Sequence, residues 1–202
     1  MRLSDVPVPD TAVATHAADA VAAYSSPALV NHCHRSYLWS AALGVSRGLT
    51  FDVELLYVAA MLHDIGLVAA FDNATLPFEE AGGHVAWMLG AGAGWPVERR
   101  RRVADVVVRH MWDAVDPAVD PEGYLLEVGT GLDISGRDAQ LWPAQLRSEV
   151  LDRYPRLDLA TEFLACFEDQ ARRKPDSAAG AAVRSGIGDR LRSNVLERDD
   201  ET

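Results

Sequence analysis

The sequence contains little cysteine. Only Cys33 and Cys166 are present among 202 residues, and neither has a second cysteine near it. Two distant cysteines do not make the disulfide framework that stabilises small secreted domains. We therefore expect two reduced thiols and a fold that depends on packing. The length is ample for one domain with a substantial core.

Long apolar runs are absent as well. No stretch approaches the ~20 apolar residues needed to span a bilayer. The first ten residues, MRLSDVPVPD, contain prolines and acids where a signal peptide would have an apolar core. We expect a cytoplasmic protein that does not interact with membranes.

Positive charge is scarce. Lysine and arginine number 19 against 30 acidic residues, which gives a net charge of −11. Such a surface repels phosphate backbones and disfavours nucleic-acid binding. Four consecutive arginines, Arg99 to Arg102, interrupt this trend. We interpret them as the exposed side of a helix rather than a phosphate site, because charge runs are usually solvated.

Strand signals are nearly absent, and helix-forming patterns dominate. Ser26 and Asp52 are suited to cap two of the helices. We predict an all-α fold with one compact helical bundle over residues 10–175, an N-terminal extension over 1–9 and a polar, weakly ordered tail over 176–202. The predicted helices cover residues 11–24, 28–43 (ending near Gly44), 53–63, 79–89, 97–111, 124–132, 145 onward and 157–173, with a loop at 68–77.

A His-Asp pair ends the most apolar of these helices. His63 and Asp64 directly follow AAML. A buried aspartate needs a compensating partner, and a divalent cation accepts imidazole nitrogen and carboxylate oxygen together. His32, on the preceding helix, and Asp133, at the end of a later apolar helix, are placed to complete the set. His34 is a rival to His32, but it lies on a different helix face.

The order of these residues resembles a known family. The segments NHCHRSYLW, YVAAMLHDIG, FEEAGGHVAW, VVRHM, LLEVGTGLDISG and ARRKPD follow the H…HD…D pattern of the HD superfamily of metal-dependent phosphohydrolases. More narrowly, they resemble its cyanamide-hydratase-like branch over roughly residues 10 to 180. The resemblance implies an HD-domain bundle with the metal site between central helices. It implies the metal ligands His32, His63, Asp64 and Asp133.

The same resemblance assigns roles to further residues. The NHxxR match favours His32 over His34 and places Arg35 on the same helix face, where it would orient a ligand carboxylate or meet an anionic substrate. Some relatives hold two metals with two more histidines, for which His84 and His110 are the candidates. The position that matches the first of these is Phe78, because it precedes the Gly82-Gly83 pair by four residues. This departure favours one metal and a pocket role for His110.

The predicted chemistry is attack by water that a metal has activated. We expect one divalent ion, zinc or iron, with manganese, magnesium and nickel as alternatives; such an ion lowers the pKa of water to about 7. The predicted catalytic residues are Asp64, Arg35 and His110, with His110 delivering a proton. The resemblance implies a hydratase with a small neutral substrate, and the scarcity of cations on the metal-bearing helices besides Arg35 and Arg109 agrees with it.

Three other functions remain open at this point. The first is a phosphohydrolase that acts on a phosphomonoester or nucleotide. The second is a dinuclear iron oxygenase, with His84 and His110 as added ligands. The third is a non-catalytic HD domain that binds a small molecule and regulates a partner. Homo-oligomerisation is also open, because the sequence carries no signal for or against it.

Overall fold

The computed structural model describes residues 1–197. Within this range the chain is helical and forms no strand, which confirms the all-α prediction. Short 3-10 turns join some of the helices. The helices are α1 (Ala12–Tyr24), α2 (Pro27–Arg47), α3 (Val53–Leu62), α4 (Phe78–Gly92), α5 (Val97–Arg109), α6 (Pro121–Ser135), α7 (Ala144–Arg153), α8 (Leu159–Arg173), α9 (Ala178–Arg184) and α10 (Ile187–Arg192).

Local chemistry explains where several helices begin. The Ser26 hydroxyl accepts a hydrogen bond from the Leu29 amide at 3.2 Å, and the Asp52 carboxylate accepts one from the Leu55 amide at 3.0 Å. Each side chain satisfies one of the amides that a helix leaves unpaired at its start. These two caps are confirmed as predicted from the sequence.

Helix ends differ more from prediction. The second helix does not stop near Gly44 but continues to Arg47, and Gly48 ends it with a φ of 64°. A glycine inside a helix costs only about 1 kcal/mol, so it does not by itself end a helix. A left-handed cap does, and glycine adopts that conformation without strain.

Helix α3 lies at the centre of the molecule. Its residues from 55 to 62 are all buried, and it packs against α1, α2, α4, α5 and α6. Helix α4 approaches its last turn very closely, since a Cβ at Gly82 would lie 3.0 Å from the Leu62 carbonyl oxygen and 3.1 Å from that of His63. This approach fixes the turn that carries the His-Asp pair.

The C-terminal region differs from its predicted weak order. Two helices, α9 and α10, pack against α8. Their few apolar side chains, including Ala179, Ile187 and Leu191, are buried in a second hydrophobic cluster with Phe163 and Phe167. Composition alone missed this, because a small number of well-spaced apolar residues is enough when a complementary face exists. The part of the predicted tail at 198–202 lies outside the described residues.

The run of four arginines is part of a network of ion pairs. Arg99 pairs with Asp52 at the start of α3, and Arg102 pairs with Asp120 at the start of α6. Arg101 is exposed. The cluster therefore ties α5 to two neighbouring helices, which agrees with the expectation that it is not a phosphate site.

The structure also bears on the cysteines and on the length of the apolar helices. Cys33 and Cys166 are both free thiols. In the part of the chain that the structure describes, no helix combines the length and the apolar character required to traverse a bilayer.

Candidate metal centre

Three predicted ligands meet at one point in the interior. His32 comes from α2, while His63 and Asp64 form the turn that follows α3. The Nε2 atoms of the two histidines are 3.1 Å apart. The Oδ2 atom of Asp64 lies 3.1 Å from Nε2 of His32 and 3.2 Å from Nε2 of His63. All three residues are at most 1% exposed, so they form a closed triangle of potential ligand atoms.

Hydrogen bonds behind the histidines define which nitrogen is free. Nδ1 of His32 donates to Oδ2 of Asp133 at 2.7 Å, and Nδ1 of His63 donates to the Ala60 carbonyl at 2.7 Å. A neutral imidazole has a single N–H, so both Nε2 atoms present lone pairs to the triangle. Both carboxylate oxygens of Asp64 are buried without a hydrogen-bond donor.

Three acceptors that face each other require a cation. Burial alone would raise the pKa of Asp64, but His63 and His32 hold it well below its ordinary value. Burial would likewise lower the pKa of His32, yet the neighbouring carboxylates of Asp133 and Asp64 raise it above the ordinary value. Both pKa shifts favour positive charge at this point, since one keeps Asp64 ionised and the other favours a protonated His32. One proton can bridge only two of the three atoms, whereas a metal ion can contact all of them.

The dimensions of the triangle suit a divalent ion. A tetrahedral ion with bonds of about 2.0–2.1 Å holds its ligand atoms about 3.4 Å apart, and an octahedral ion about 2.9 Å apart. The observed separations of 3.1 and 3.2 Å fall between these values. Two imidazole nitrogens and one carboxylate oxygen are a donor set typical of zinc and iron. The cluster could therefore hold a metal ion.

Asp133 lies behind His32 rather than in the triangle. Its Oδ2 accepts bonds from His32 Nδ1 at 2.7 Å and Arg35 Nη2 at 2.8 Å. Its Oδ1 accepts bonds from Arg35 Nε and Trp39 Nε1, each at 2.8 Å. This differs from the expected fourth ligand, and the reason is that a guanidinium, an indole and an imidazole already use both oxygens. In this geometry Asp133 fixes the orientation and tautomer of His32.

Arg35 is committed to Asp133. Its side chain is fully buried, and its Nη1 donates to the carbonyls of Tyr154 at 2.9 Å and Pro155 at 3.1 Å. It does not line the cavity beside the cluster. Of the two expected roles, the structure places Arg35 in the first, where it orients a carboxylate, and not in contact with substrate.

His110 forms part of the cavity wall next to the triangle. Its Nδ1 donates to the Val107 carbonyl, which leaves the Nε2 lone pair 3.7 Å from Oδ1 of Asp64. Burial, assisted by the nearby His63, lowers the pKa of His110 to about 3. The ring is therefore neutral, and its free nitrogen accepts hydrogen bonds rather than donating them.

The other histidines considered from the sequence are not in the site. His84 is exposed on α4 and does not line the cavity, so the structure does not place it as an added ligand. Phe78, at the matching position, is fully buried with its ring centroid 5.7 Å from that of His110. His34 stacks on Tyr154 at 4.6 Å.

Three residues that the sequence did not single out surround Asp133. Besides Trp39, Nη1 of Arg156 and Nδ2 of Asn194 donate to its backbone carbonyl at 2.7 and 2.8 Å. Trp39 had a detectable signal, because it lies seven residues after His32 and so on the same helix face. The other two residues come from distant parts of the chain, and no local pattern links them to the site.

A large cavity opens from the triangle. Its volume is about 1150 Å³, and α9 and α10 form part of its wall. The lining includes apolar and aromatic side chains together with two arginines. Among these residues are Met111, Trp112, Glu127, Thr130, Ile134, Arg137, Phe163, Phe167, Ala182, Ile187 and Arg190.

Comparisons with known families agree with this site. The HD domain model matches residues 29–134, more than half of the chain. The chain is also similar to cyanamide hydratase DDI2 and cyanamide hydratase DDI3 of Saccharomyces cerevisiae. Each is 26% identical over 174 residues, which cover 84% of this chain and 77% of the relative. The matched segment contains the whole triangle, and this protein belongs to the HD domain family.

Proposed function

We propose that this protein is a hydratase or hydrolase that uses one divalent metal ion, held by His32, His63 and Asp64, to add water to a small molecule. The observation that carries the proposal is the set of three lone-pair atoms 3.1–3.2 Å apart with no donor between them. Membership of the HD family and similarity to two cyanamide hydratases support the same general chemistry.

The surrounding residues have separate tasks. A divalent ion would polarise the substrate and make hydroxide available near neutral pH. Asp133 and Arg35 keep Nε2 of His32 directed at the triangle through the bond to Nδ1. Nε2 of His110 accepts a hydrogen bond from the attacking water and orients it towards the substrate, because its other nitrogen is fixed on the Val107 carbonyl.

A nitrile-type carbon is the substrate centre that we favour. In such a hydration the water oxygen bonds to carbon, one carbon–nitrogen π bond breaks and the nitrogen takes up the proton. A phosphoryl group would need cations at the triangle, yet Arg35 and Arg156 both bond to Asp133 and do not line the cavity. The two arginines that do line it, Arg137 and Arg190, bond to Glu127 and Ser185 instead of facing the triangle. The two relatives are named for a nitrile-like substrate, cyanamide.

Metal analysis and a substrate panel test this proposal. Protein purified without added metal should contain about one equivalent of zinc or iron and should hydrate cyanamide or simple nitriles but not phosphomonoesters. The variant H110A should keep its metal and lose about 10²-fold in kcat, because the attacking water is no longer oriented. The variant H84A is the matched control and should behave like the wild type, because that histidine is exposed.

Other results would favour the alternatives. Two metal equivalents would support a dinuclear centre. Turnover of phosphomonoesters alone would support a phosphohydrolase. A metal-loaded protein that turns over neither class would leave a ligand-binding HD domain as the better description.

A further inference from the structure

The cavity is much larger than a cyanamide-type substrate requires. A molecule of that size fills about as much space as three water molecules, or about 90 Å³. The cavity measures about 1150 Å³, which is slightly more than the roughly 300–1,000 Å³ usual for sites that bind drug-sized ligands. Its wall also carries charged groups that a small neutral substrate would not need.

One of these charged groups is the pair formed by Glu127 and Arg137. Glu127 precedes Asp133 by six residues on α6, so it lies about 9 Å away along the helix axis. Arg137 follows the left-handed turn at Gly136, and its Nη2 donates to both the side chain and the carbonyl of Glu127. Both residues line the cavity.

The guanidinium of Arg137 packs directly against the backbone of α6 at Gly131. A Cβ at Gly131 would lie 2.7 Å from Cζ and 2.9 Å from Nε of Arg137, so the group occupies the space that a side chain would fill. Within residues 1–197, Nε and Nη1 of Arg137 donate to no protein atom. Nη2 is held by Glu127, and the N–H groups of Nη1 and Nε remain for a ligand.

Stability alone does not explain this pair. Glu127 is 6% exposed, and burial raises its pKa despite the opposing effect of Arg137. Removing such a carboxylate from water is unfavourable, and the attraction of its partner often no more than offsets that cost. The carboxylate does, however, hold the guanidinium in one orientation, as preorganised recognition requires.

We propose that Arg137 recognises a carboxylate on the substrate of the metal centre, with Glu127 and Gly131 as its positioning residues. The inference rests on the proposed function, since it extends the substrate from the reacting carbon to an anionic end. A charge-assisted hydrogen bond from the free Nη1 suits a carboxylate oxygen. The nearby acids Glu127 and Asp113 disfavour the second charge of a phosphate monoester.

The apolar wall fits the part of the molecule between the two ends. Ile134, Phe163 and Phe167 line the cavity together with the triangle and Arg137. Burial of hydrocarbon against such side chains raises affinity roughly fourfold per CH₂ group. The substrate class is therefore a medium-length organic acid whose reactive carbon is remote from its carboxylate.

Calorimetric binding to zinc-loaded protein tests this without turnover. The probes are straight-chain ω-cyano carboxylates of increasing length, each paired with the carboxamide of the same length. We expect the best acid to bind at least tenfold more tightly than its amide. R137Q should remove that preference and leave amide binding unchanged, R137K should retain part of it, and G131A should resemble R137Q because it displaces the guanidinium.

Controls separate this inference from the proposed function. R101Q removes an exposed arginine and should leave binding unchanged, and the zinc content of every variant should equal that of the wild type. Equal affinity of R137Q and wild type for the acids, or tighter Arg137-dependent binding of alkyl phosphonates, would overturn the inference. Arg137-dependent binding of an acid that is never hydrated would support recognition while contradicting the proposed function.

Discussion

The two ends of helix α3 hold a carboxylate in opposite ways. At its start, the Asp52 carboxylate caps the helix and pairs with Arg99. At its end, the Asp64 carboxylate is buried with no donor at all and faces two imidazole lone pairs. The first arrangement is complete within the protein. The second leaves three acceptors that could hold a cation.

This contrast distinguishes charge that holds the fold from charge that is kept for function. A buried carboxylate without a partner costs several kcal/mol, and the apolar packing of α3 must offset that cost. A metal that binds only the folded protein raises the free energy of unfolding, and the increase grows with the logarithm of its affinity. The predictions below test the contrast in order of expected effect.

The largest effect is expected when Asp64 is replaced. D64N removes the negative ligand, so metal content should fall from about one equivalent to near zero and hydration should cease. Without metal, this variant should be more stable than metal-free wild type by about 1–3 kcal/mol, because the amide can donate to the two Nε2 atoms. Metal analysis and urea unfolding with and without chelator measure both effects.

The chelator provides the internal control. It should lower the Tm of the wild type and leave that of D64N unchanged. A D64N protein that still retained metal would show that Asp64 is not a ligand.

A smaller loss of metal is expected when Asp133 is replaced. D133N leaves the triangle intact but weakens the hold on His32, so metal affinity should fall about 10- to 100-fold. Stability should fall by about 3–5 kcal/mol, because Arg35 remains buried without its counter-ion. Metal titration and unfolding check these values. Loss of metal as complete as in D64N would instead mean that Asp133 moves into the coordination sphere.

The network of ion pairs between α5 and the starts of α3 and α6 should affect stability but not metal binding. Asp120 caps α6 through the Gly123 amide at 2.6 Å and pairs with Arg102 and Arg109. D120A should cost about 2 kcal/mol through loss of the cap and of the ion pairs, with metal content and turnover unchanged. R101Q, beside the network, should change stability by less than about 0.5 kcal/mol. A fall in metal content of D120A would contradict the separation of the two regions.

The smallest effect concerns pH. Burial would raise the pKa of Asp120, but bonds from Arg102 and Arg109 hold it below its ordinary value. A carboxyl whose folded pKa is depressed stabilises the protein above its unfolded pKa, about 3.9, and this contribution is lost as pH falls through the folded pKa. The difference in unfolding free energy between wild type and D120N should thus stay constant from pH 7 to 5 and shrink below about pH 4. A difference that grew towards low pH would contradict the assignment.

Much of the architecture could be predicted because its causes are local. Caps such as Ser26 and Asp52, and the apolar run before His63, act within a few residues and determine where helices begin and which one is central. The choice of His32 over His34 followed from the NHxxR match, and the structure places only His32 at the triangle.

Other features could not be predicted because their causes are remote in sequence. Competition for the oxygens of Asp133 depends on Arg35 and Trp39, more than 90 residues away. Order in α9 and α10 depends on a matching face on α8. The composition of that segment is indeed polar and rich in small residues, but composition does not show that α8 offers a complementary apolar face, so the expected weak order was wrong.

The amino-acid sequence by itself determined the helical class, the central helix and the three residues of the triangle, because periodicity, capping and one motif encode them within short segments. Only the tertiary structure decided that Asp133 stands behind His32, that Arg137 is seated on Gly131 and that the C-terminal helices wall the cavity. These outcomes depend on side chains that are far apart in sequence and meet only in the folded chain. A carboxylate oxygen that already accepts two hydrogen bonds, as in Asp133, is not free to bind a metal.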